Sequence, residues 1–370
     1  MRILIAPDKF KGSLSAQKVC EAIGNGLKKN DSSLNIKYHP MADGGDGSLV
    51  ILSSHLPLKK IEVTTVDPIG RKISTHYFVS SDAAFIEVAS ASGLVLLSKT
   101  EKNPLLTSTI GTGKIMTDAI KKGFKKIYLF LGGSATNDAG MGIATELGFE
   151  FLDEQKNKLQ PIGENLSKVK FIHSSPIFSF EKITVTLLCD VKNPMFGTSG
   201  AAFVYAPQKG ANENQVLLLD RGLKNFSIVL KNHSNIDVSK ILGGGAAGAI
   251  GAGLVALLNA KLEKGFETIA QLTHLEKHIE SSDWVISGEG KLDEQSLQGK
   301  VINGIANLCK KHQKPFSLFV GKNELSKKHI SDLNVKHIFS ILENAKNVDD
   351  AILNGAFYLE QLANQFILKK

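Results

Sequence analysis

Carboxylates and lysines recur in glycine-rich segments that directly follow short apolar runs of the sequence. Glycine lets the backbone come close to a ligand, lysine supplies a point charge for phosphates, and carboxylates hold Mg2+ or orient an attacking hydroxyl. Five segments carry these residue types, the fourth of them without glycine: residues 8–13 (DKFKGS), 43–47 (DGGDG), 132–138 (GGSATND), 190–194 (DVKNP) and 288–293 (GEGKLD). Residue types of this kind suit phosphoryl transfer from a nucleotide.

The apolar runs before these segments are predicted to be strands of a parallel α/β sheet. Residues 3–6 are short, partly β-branched and bounded by Pro7, as in a buried strand. Ser15 is a predicted N-cap for a helix with apolar residues at helical spacing. Further strands are predicted at residues 34–38, 127–131, 185–189, 284–287, 316–320 and 337–341. Because ligands of open α/β sheets bind at the carboxyl ends of the strands, we expect the five segments to form a shared polyanion site. Residues 288–293 are expected to be a turn after a strand.

The pattern changes from about residue 60, which predicts two domains. Residues 61–66, 73–79 and 85–88 alternate like antiparallel strands. The α/β pattern then returns near the C-terminus. We therefore expect a discontinuous Rossmann-like α/β domain with a parallel sheet, residues 1–65 and 280–370, and an inserted mixed α/β domain, residues 66–279.

The positive charge of the chain, formally +8, is spread over lysines. Arginine occurs only at Arg2, Arg71 and Arg221, whereas proteins that read DNA sequence rely on arginine for bidentate contacts to guanine. We therefore expect no nucleic-acid partner, although a basic surface attracts small anions.

Cysteine usage and hydropathy predict a cytoplasmic protein that does not associate with a membrane. Cys20, Cys189 and Cys309 form no CxxC pair, which argues against disulfides and a zinc site. Charged residues follow the N-terminal apolar run too soon for a signal peptide. Residues 241–260 are uncharged and long enough to span a bilayer, but they begin with a glycine loop and are rich in Gly and Ala, which favours a buried helix.

The sequence motifs resemble, in order and over nearly the whole chain, those of the bacterial type I glycerate kinases. Residues 6–16 (APDKFKGSLSA) and 40–48 (PMADGGDGS) are similar to the family's APDSFKGSLSA and PMADGGEGT. The other similar segments are DPIGR (67–71), IEVASASGL (86–94), GGSATNDAG (132–140), CDVKNPMFG (189–197), PQKGA (207–211), GGGAAGAIGAGL (243–254) and SGEGKLDEQSLQGKV (287–301). Departures are Lys9, Asp46, Ser48 and Ser287, where Ser, Glu, Thr and Thr are usual.

The resemblance implies two α/β domains with a cleft between them, and transfer of the γ-phosphate of ATP, with Mg2+, to D-glycerate. The product is 2-phosphoglycerate or 3-phosphoglycerate. On this basis the expected catalytic residues are Asp43, Asp190, Lys11 and Asp8, and the expected metal ligands are Asp43, Asp190 and Asp46. The expected substrate-binding residues are Arg71, Ser13 and Asp293, and the expected ATP-binding residues are Gly132, Gly133, Ser134, Gly244, Gly245 and Glu289. Arg71 is chosen because its planar fork matches a carboxylate. By residue type alone, the aspartates at 8, 43 and 46 could also cap helices, and a site role is favoured for Asp8 and Asp43.

Two other functions stay open at this point. Gly243, Gly245 and Gly248 fit the GxGxxG of a nicotinamide-dependent oxidoreductase acting on a small hydroxy acid, but residues 235–240 make a poor strand before it. A basic chain could also be a non-catalytic, polyanion-binding regulator. The sequence has neither GxxxxGK[ST] nor an HRD loop, so a kinase of this kind lies outside the P-loop and protein-kinase designs. The oligomeric state is not fixed, and a homodimer is one assembly that the sequence allows.

Overall fold

The computed structural model of the chain describes residues 1–45, 47–175, 177–297 and 301–366. The strands are β1 (Arg2–Ile5), β2 (Asn35–Tyr38), β3 (Lys59–Val66), β4 (Lys72–Ser80), β5 (Ala83–Glu87), β6 (Lys126–Phe130), β7 (Phe149–Leu152), β8 (Phe171–Ser174), β9 (Thr184–Leu188), β10 (Lys261–Glu263), β11 (Trp284–Leu292), β12 (Phe316–Asn323) and β13 (His337–Ser340). The helices are α1 (Ala16–Asn30), α2 (Ser48–His55), α3 (Ala89–Ser92), α4 (Ile110–Lys121), α5 (Met141–Glu146), α6 (Ala201–Tyr205), α7 (Glu213–Ser234), α8 (Ala246–Leu258), α9 (Gly265–Leu272), α10 (Leu275–Ser281), α11 (Val301–Lys311), α12 (Lys327–Asp332), α13 (Val348–Leu353) and α14 (Gly355–Gln365).

The chain divides into two compact units. We call them the terminal unit, residues 1–43, 50–55 and 264–370, and the inserted unit, residues 44–49 and 56–263. The boundaries differ from those expected at residues 65 and 280. β3 pairs along its whole length with β4 and so belongs to the inserted unit, whereas α9 and α10 belong to the terminal unit.

The terminal unit is built on a five-stranded, fully parallel sheet with the order β13-β12-β11-β1-β2. β1 reads RILI and is buried at its last three positions, as an apolar strand covered on both faces should be. The helix after it begins where the sequence predicts, because Oγ of Ser15 accepts a hydrogen bond from the Lys18 backbone N–H at 3.3 Å. Close contact with α14 depends on Gly26, where an added Cβ would lie 2.2 Å from the Glu360 carbonyl oxygen.

The inserted unit is built on a six-stranded mixed sheet with the order β10-β9-β6-β5-β4-β3. β3, β4 and β5 are antiparallel neighbours, as their alternating pattern predicts. β5 also pairs in parallel with β6, followed by β9 and β10 in parallel. The expectation of an antiparallel strand near residues 85–88 is therefore confirmed at the edge of β5 that pairs with β4 and is wrong at the edge that pairs with β6. Four of its five residues are buried, which fits a strand inside a sheet.

Residues 288–292 of the predicted turn are instead the second half of a long strand. β11 continues to Leu292, with Glu289 opposite Val320 and Lys291 opposite Lys322 of β12. Gly288 makes this pairing possible, since a Cβ there would lie 2.2 Å from the Phe319 carbonyl oxygen. Glu289 is thus a strand residue and not part of a loop.

The uncharged segment at residues 241–260 contains a buried helix, α8, as predicted. Its start is irregular, because three successive residues, Ala247 to Ala249, have positive φ angles of 52°, 72° and 70°. Across the residues that the structure describes, no helix combines the length and apolar character needed to cross a bilayer.

Candidate active site

In the inserted unit, two of the predicted segments start side by side at the carboxyl ends of β6 and β9. The two strands are parallel and paired, and the N–H of Leu131 still donates to the Leu188 carbonyl at 3.2 Å. Residues 132–138 follow the first strand, and Asp190 follows the second by two residues. The half-buried Asp190 carboxylate therefore leaves the sheet at the edge where open α/β sheets bind ligands.

Residues 132–137, here called the GGSATN loop, are held by backbone hydrogen bonds to the last residue of α3 and to a residue just after it. The N–H of Leu94 donates to the Gly133 carbonyl, and the N–H of Ala135 donates to the Ser92 carbonyl, each at 2.8 Å. Gly133 is exposed and has a φ of 68°, which favours glycine. The loop thus has a fixed path with one exposed glycine, the arrangement expected of a phosphate-binding turn.

Asp138 anchors the end of this loop and is structural. Its Oδ2 accepts hydrogen bonds from the backbone N–H and the hydroxyl of Thr109, at 2.8 and 2.7 Å, and from the N–H of Gly142 at 3.2 Å. Its Oδ1 accepts from the N–H of Gly140 at 3.2 Å. Burial raises the pKa of this carboxyl, while the hydrogen bonds oppose the shift.

Lys209 lies beneath the GGSATN loop and was not assigned a role from the sequence. Its residue is 2% exposed, and its Nζ donates to Oγ of Ser134 at 2.9 Å and to the Thr136 carbonyl at 2.6 Å. Burial lowers the pKa of Lys209 to about 7, and the field of Asp138 raises it. The sequence feature that could have identified Lys209 is the PQKGA segment at residues 207–211. This segment is similar to the family's motif, but no residue in it was predicted to bind a ligand.

The glycines at 244 and 245 pack against the backbone of the protein itself, and their binding of ATP phosphates stays a prediction. Both are buried, and their N–H groups donate to the carbonyls of Ile241 and Asn193, at 3.1 and 2.9 Å. A Cβ at Gly245 would lie 2.2 Å from the Pro194 carbonyl oxygen. The same glycine segment also supports the GGSATN loop, because a Cβ at Gly248 would lie 2.0 Å from the Thr136 carbonyl oxygen.

This glycine segment lacks the context of a dinucleotide-binding fingerprint. Val238–Lys240, just before Gly243, form a 3-10 turn and not a strand. The oxidoreductase alternative rested on that match alone, and the strand–turn–helix unit that it needs is missing here.

Arg71 is engaged within its own unit. Its Nε contacts Oδ2 of Asp67 at 2.5 Å, and its two terminal nitrogens contact Oε1 of Glu101 at 2.7 Å and the Leu96 carbonyl at 3.1 Å. Two carboxylates therefore already neutralise the fork that the sequence suggested for a substrate carboxylate. The geometry favours a role in holding the turn at residues 67–71.

In the terminal unit, predicted carboxylates follow neighbouring strands. Asp8 lies three residues after β1, and its N–H donates to the Gly288 carbonyl of β11 at 2.9 Å. Asp43 lies five residues after β2, and both aspartates are half-buried. Glu289 is on β11, the other neighbour of β1. One acidic residue thus lies on β11, and one follows each of the two adjacent parallel strands β1 and β2.

The other predicted residues of the terminal unit lie in the loop after β1 and just after β11. Lys11 is exposed. The hydroxyl of Ser13 donates to the Ile352 carbonyl at 2.6 Å, which fastens the loop after β1. Asp293 is 3.3 Å from Nζ of Lys291, which also contacts Glu324 at 2.8 Å. Asp46 lies outside the described residues.

The whole chain is similar to glycerate kinases. The model of the glycerate kinase family matches residues 3–369. A glycerate kinase of Halalkalibacterium halodurans is 36% identical over 98% of this chain and 96% of its own length, and the glycerate 2-kinase of Escherichia coli K12 is 35% identical over 96% and 94%. The solved structure of a protein assigned as glycerate kinase 2 from Salmonella typhimurium LT2 superposes with a TM-score of 0.85 at 33% identity, covering 98% and 96% of the two chains. The chain therefore belongs to the glycerate kinase family.

Proposed function

We propose that this protein is a glycerate kinase, a phosphotransferase that moves the γ-phosphate of ATP to a hydroxyl of D-glycerate. The observation that carries the proposal is the family match over residues 3–369, together with relatives named glycerate kinase that align over nearly their whole length. Loops with glycine, lysine and carboxylate at strand ends support it, because phosphoryl transfer depends mainly on positioning and on charge stabilisation.

The residues of the inserted unit with the best support for ATP binding are those of the GGSATN loop. Gly132, Gly133 and Ser134 follow β6 in an ordered turn with a buried ammonium beneath it. Backbone N–H groups of such a turn suit phosphate oxygens. In the terminal unit, we propose that Lys11 contacts a phosphate, because it is an exposed cation in the loop after β1.

The acidic residues fit a magnesium ion that is bound mainly through nucleotide phosphates. Mg2+ usually takes one or two carboxylates and keeps several waters. Among the described residues no group of three or more His, Cys, Asp or Glu side chains is arranged to hold a metal. We propose Asp43 and Asp190 each as a Mg2+ ligand or as the group that orients the acceptor hydroxyl. When bound, the ion neutralises charge on the β- and γ-phosphates.

The activity test measures ATP consumption with D-glycerate, against L-glycerate and no-acceptor controls, with the product identified by phosphorus NMR. ADP release that depends on D-glycerate supports the kinase, and the phosphorus–proton coupling distinguishes 2-phosphoglycerate from 3-phosphoglycerate. Consumption of ATP only with another hydroxy acid would refute the substrate assignment.

The carboxylate roles are tested by Asp43→Asn and Asp190→Asn, with exposed Asp332→Asn as the matched control. We expect each of the first two to lower kcat by about 10²-fold or more, because general acid–base and charge-positioning groups contribute that much. The control should turn over like the wild type. Near-normal turnover in both site variants, with unchanged stability, would contradict the assignment.

A further inference from the structure

Two neighbouring polar side chains at the end of the GGSATN loop are buried without a hydrogen-bond partner in the described part of the chain. The atoms are Oγ1 of Thr136 and both amide atoms of Asn137, and both residues are 0% exposed. Proteins pair more than about nine-tenths of their buried polar groups, and each unpaired one costs about 1–3 kcal/mol. Three such atoms in adjacent residues indicate a partner that the polypeptide itself does not supply.

The neighbouring buried ammonium of Lys209 has no carboxylate from the described ranges of the chain in direct contact to balance its charge. Among the described residues, no carboxylate oxygen lies within 4.0 Å of its Nζ, and Asp138 acts on it only through its field. The oxygens of Asp138 are already bonded to Thr109, Gly140 and Gly142. A buried cation without a counterion is costly, so an anion at this place would stabilise the ammonium.

The two features are neighbours along the loop, since Nζ of Lys209 donates to the backbone carbonyl of Thr136 at 2.6 Å. We propose that Lys209, Thr136 and Asn137 form a buried oxyanion-binding site, whose ligand is either the carboxylate of the acceptor or a phosphate of the nucleotide. Asn137 and Thr136 supply donors, and Lys209 supplies the charge. The inference rests on the proposed function for the identity of these two ligands, and it moves carboxylate recognition away from Arg71, which is already paired.

The titration of Lys209 gives the site a signature that a merely structural lysine would not produce. Its pKa of about 7 means that it is partly neutral at physiological pH, and a bound anion favours the charged form. D-glycerate keeps its charge between pH 6 and 8.5, so an affinity that needs the ammonium should fall roughly 30-fold over this range. Asp138 is the charged group that faces Lys209, and its carboxylate accepts four hydrogen bonds, which oppose the rise of its pKa on burial.

The test uses the full chain and calorimetric titration with D-glycerate alone and with MgATP alone. The variants are Lys209→Met and Asn137→Leu, which keep approximate side-chain size, and the control is Lys224→Met at an exposed position of α7. We expect both site variants to lower the affinity for one of the two ligands by about 10- to 100-fold, because the loss of a hydrogen bond to a charged group has an effect of this size. Replacing the unpaired amide in Asn137→Leu should leave the urea midpoint unchanged or raised, so that lost binding is not lost folding.

Each outcome decides the matter. Weaker D-glycerate binding assigns the site to the carboxylate, and weaker MgATP binding assigns it to a phosphate. Wild-type affinities in both variants would overturn the site and leave an internal water as the partner of Asn137. The site would also be overturned if the wild type bound neither ligand. If a variant does not fold, the pH dependence of the two wild-type affinities decides in its place, and flat profiles for both D-glycerate and MgATP would count against the site. Turnover without any effect of the variants refutes the site and not the kinase, whereas anion binding without turnover refutes the kinase and not the site.

Discussion

Three histidines that pack together in the terminal unit predict a loss of stability as the pH falls. The ring of the buried His39 has its centroid 4.1 Å from that of His55 and 5.2 Å from that of His278, and Nζ of Lys37 is 3.0 Å from Nδ1 of His278. Burial, followed by the effect of these neighbours, lowers the pKa of His39 to about 2. Burial also lowers the pKa of His55 and of His278.

The nitrogen that would take up the proton can be identified from the hydrogen bonds. The hydroxyl of Thr273 donates to the Ile269 carbonyl at 2.8 Å, so it accepts from Nε2 of His39 at 3.0 Å. Neutral His39 is therefore protonated on Nε2. Acid would have to add the second proton at Nδ1 inside the folded unit.

The magnitude follows from linkage between proton binding and folding. Unfolded His39 takes up a proton near its ordinary pKa of 6.5, whereas folded His39 does so only near pH 2. The stability of the neutral form is thus complete above pH 6.5 and is lost progressively as the pH falls below it. At pH 5.0 the loss relative to pH 8 is about 2 kcal/mol. His55 and His278 act in the same direction.

The assay is urea unfolding followed by the fluorescence of Trp284, the single tryptophan of the chain, which is buried on β11 and so reports on the terminal unit. His39→Gln keeps an N–H donor for Thr273 but does not titrate. Between pH 8 and 5 the wild type should lose about 2 kcal/mol more than this variant. His329→Gln, on α12 of the same unit, should behave like the wild type. Equal pH dependence in the wild type and in His39→Gln would refute the reasoning.

Three further predictions concern single contacts. Ser15→Ala removes the N-cap of α1 and should lower the free energy of unfolding by about 1 kcal/mol in the same fluorescence assay. Ser15→Asp keeps a capping oxygen and should leave this free energy unchanged. An Ala variant as stable as the wild type would show that the cap is dispensable. Gly253→Ala would bring a Cβ to 1.8 Å from the Ala139 carbonyl oxygen, so the inserted unit should lose about 3 kcal/mol or fail to fold; a wild-type melting curve by circular dichroism would contradict this. Tyr205→Phe removes a 2.6 Å hydrogen bond to Oδ1 of Asn193 and should cost about 1 kcal/mol, again by thermal melting, where an unchanged midpoint would mean that water replaces the phenol.

The sequence predicted elements well where one local pattern is sufficient. Apolar runs located the strands of both main sheets except the short β10, and Ser15 located the start of α1. Glu289 was predicted to lie in a turn because Gly-Glu-Gly is typical of one. Only the pairing with β12 shows that the strand continues through this residue. Burial also cannot be read from residue type: Gly244 and Gly245 look like ligand-binding glycines, yet their N–H groups bond to the protein. Lys209 was missed for the same reason, since lysines are rarely buried and its position depends on the tertiary fold.

The parallel sheet of the terminal unit has a consequence for how the chain is made. β1 lies between β2 and β11, and the hydroxyl of Ser287 bonds to the Ala6 carbonyl 281 residues earlier. A ribosome adding about 5–20 residues per second needs roughly 15–55 s to cover this distance. During that time the apolar RILI strand has one sheet edge without its partner, which is an aggregation hazard. The inserted unit is nearly continuous in sequence and can fold meanwhile, so we expect chaperone dependence during synthesis to be concentrated in the first forty or so residues.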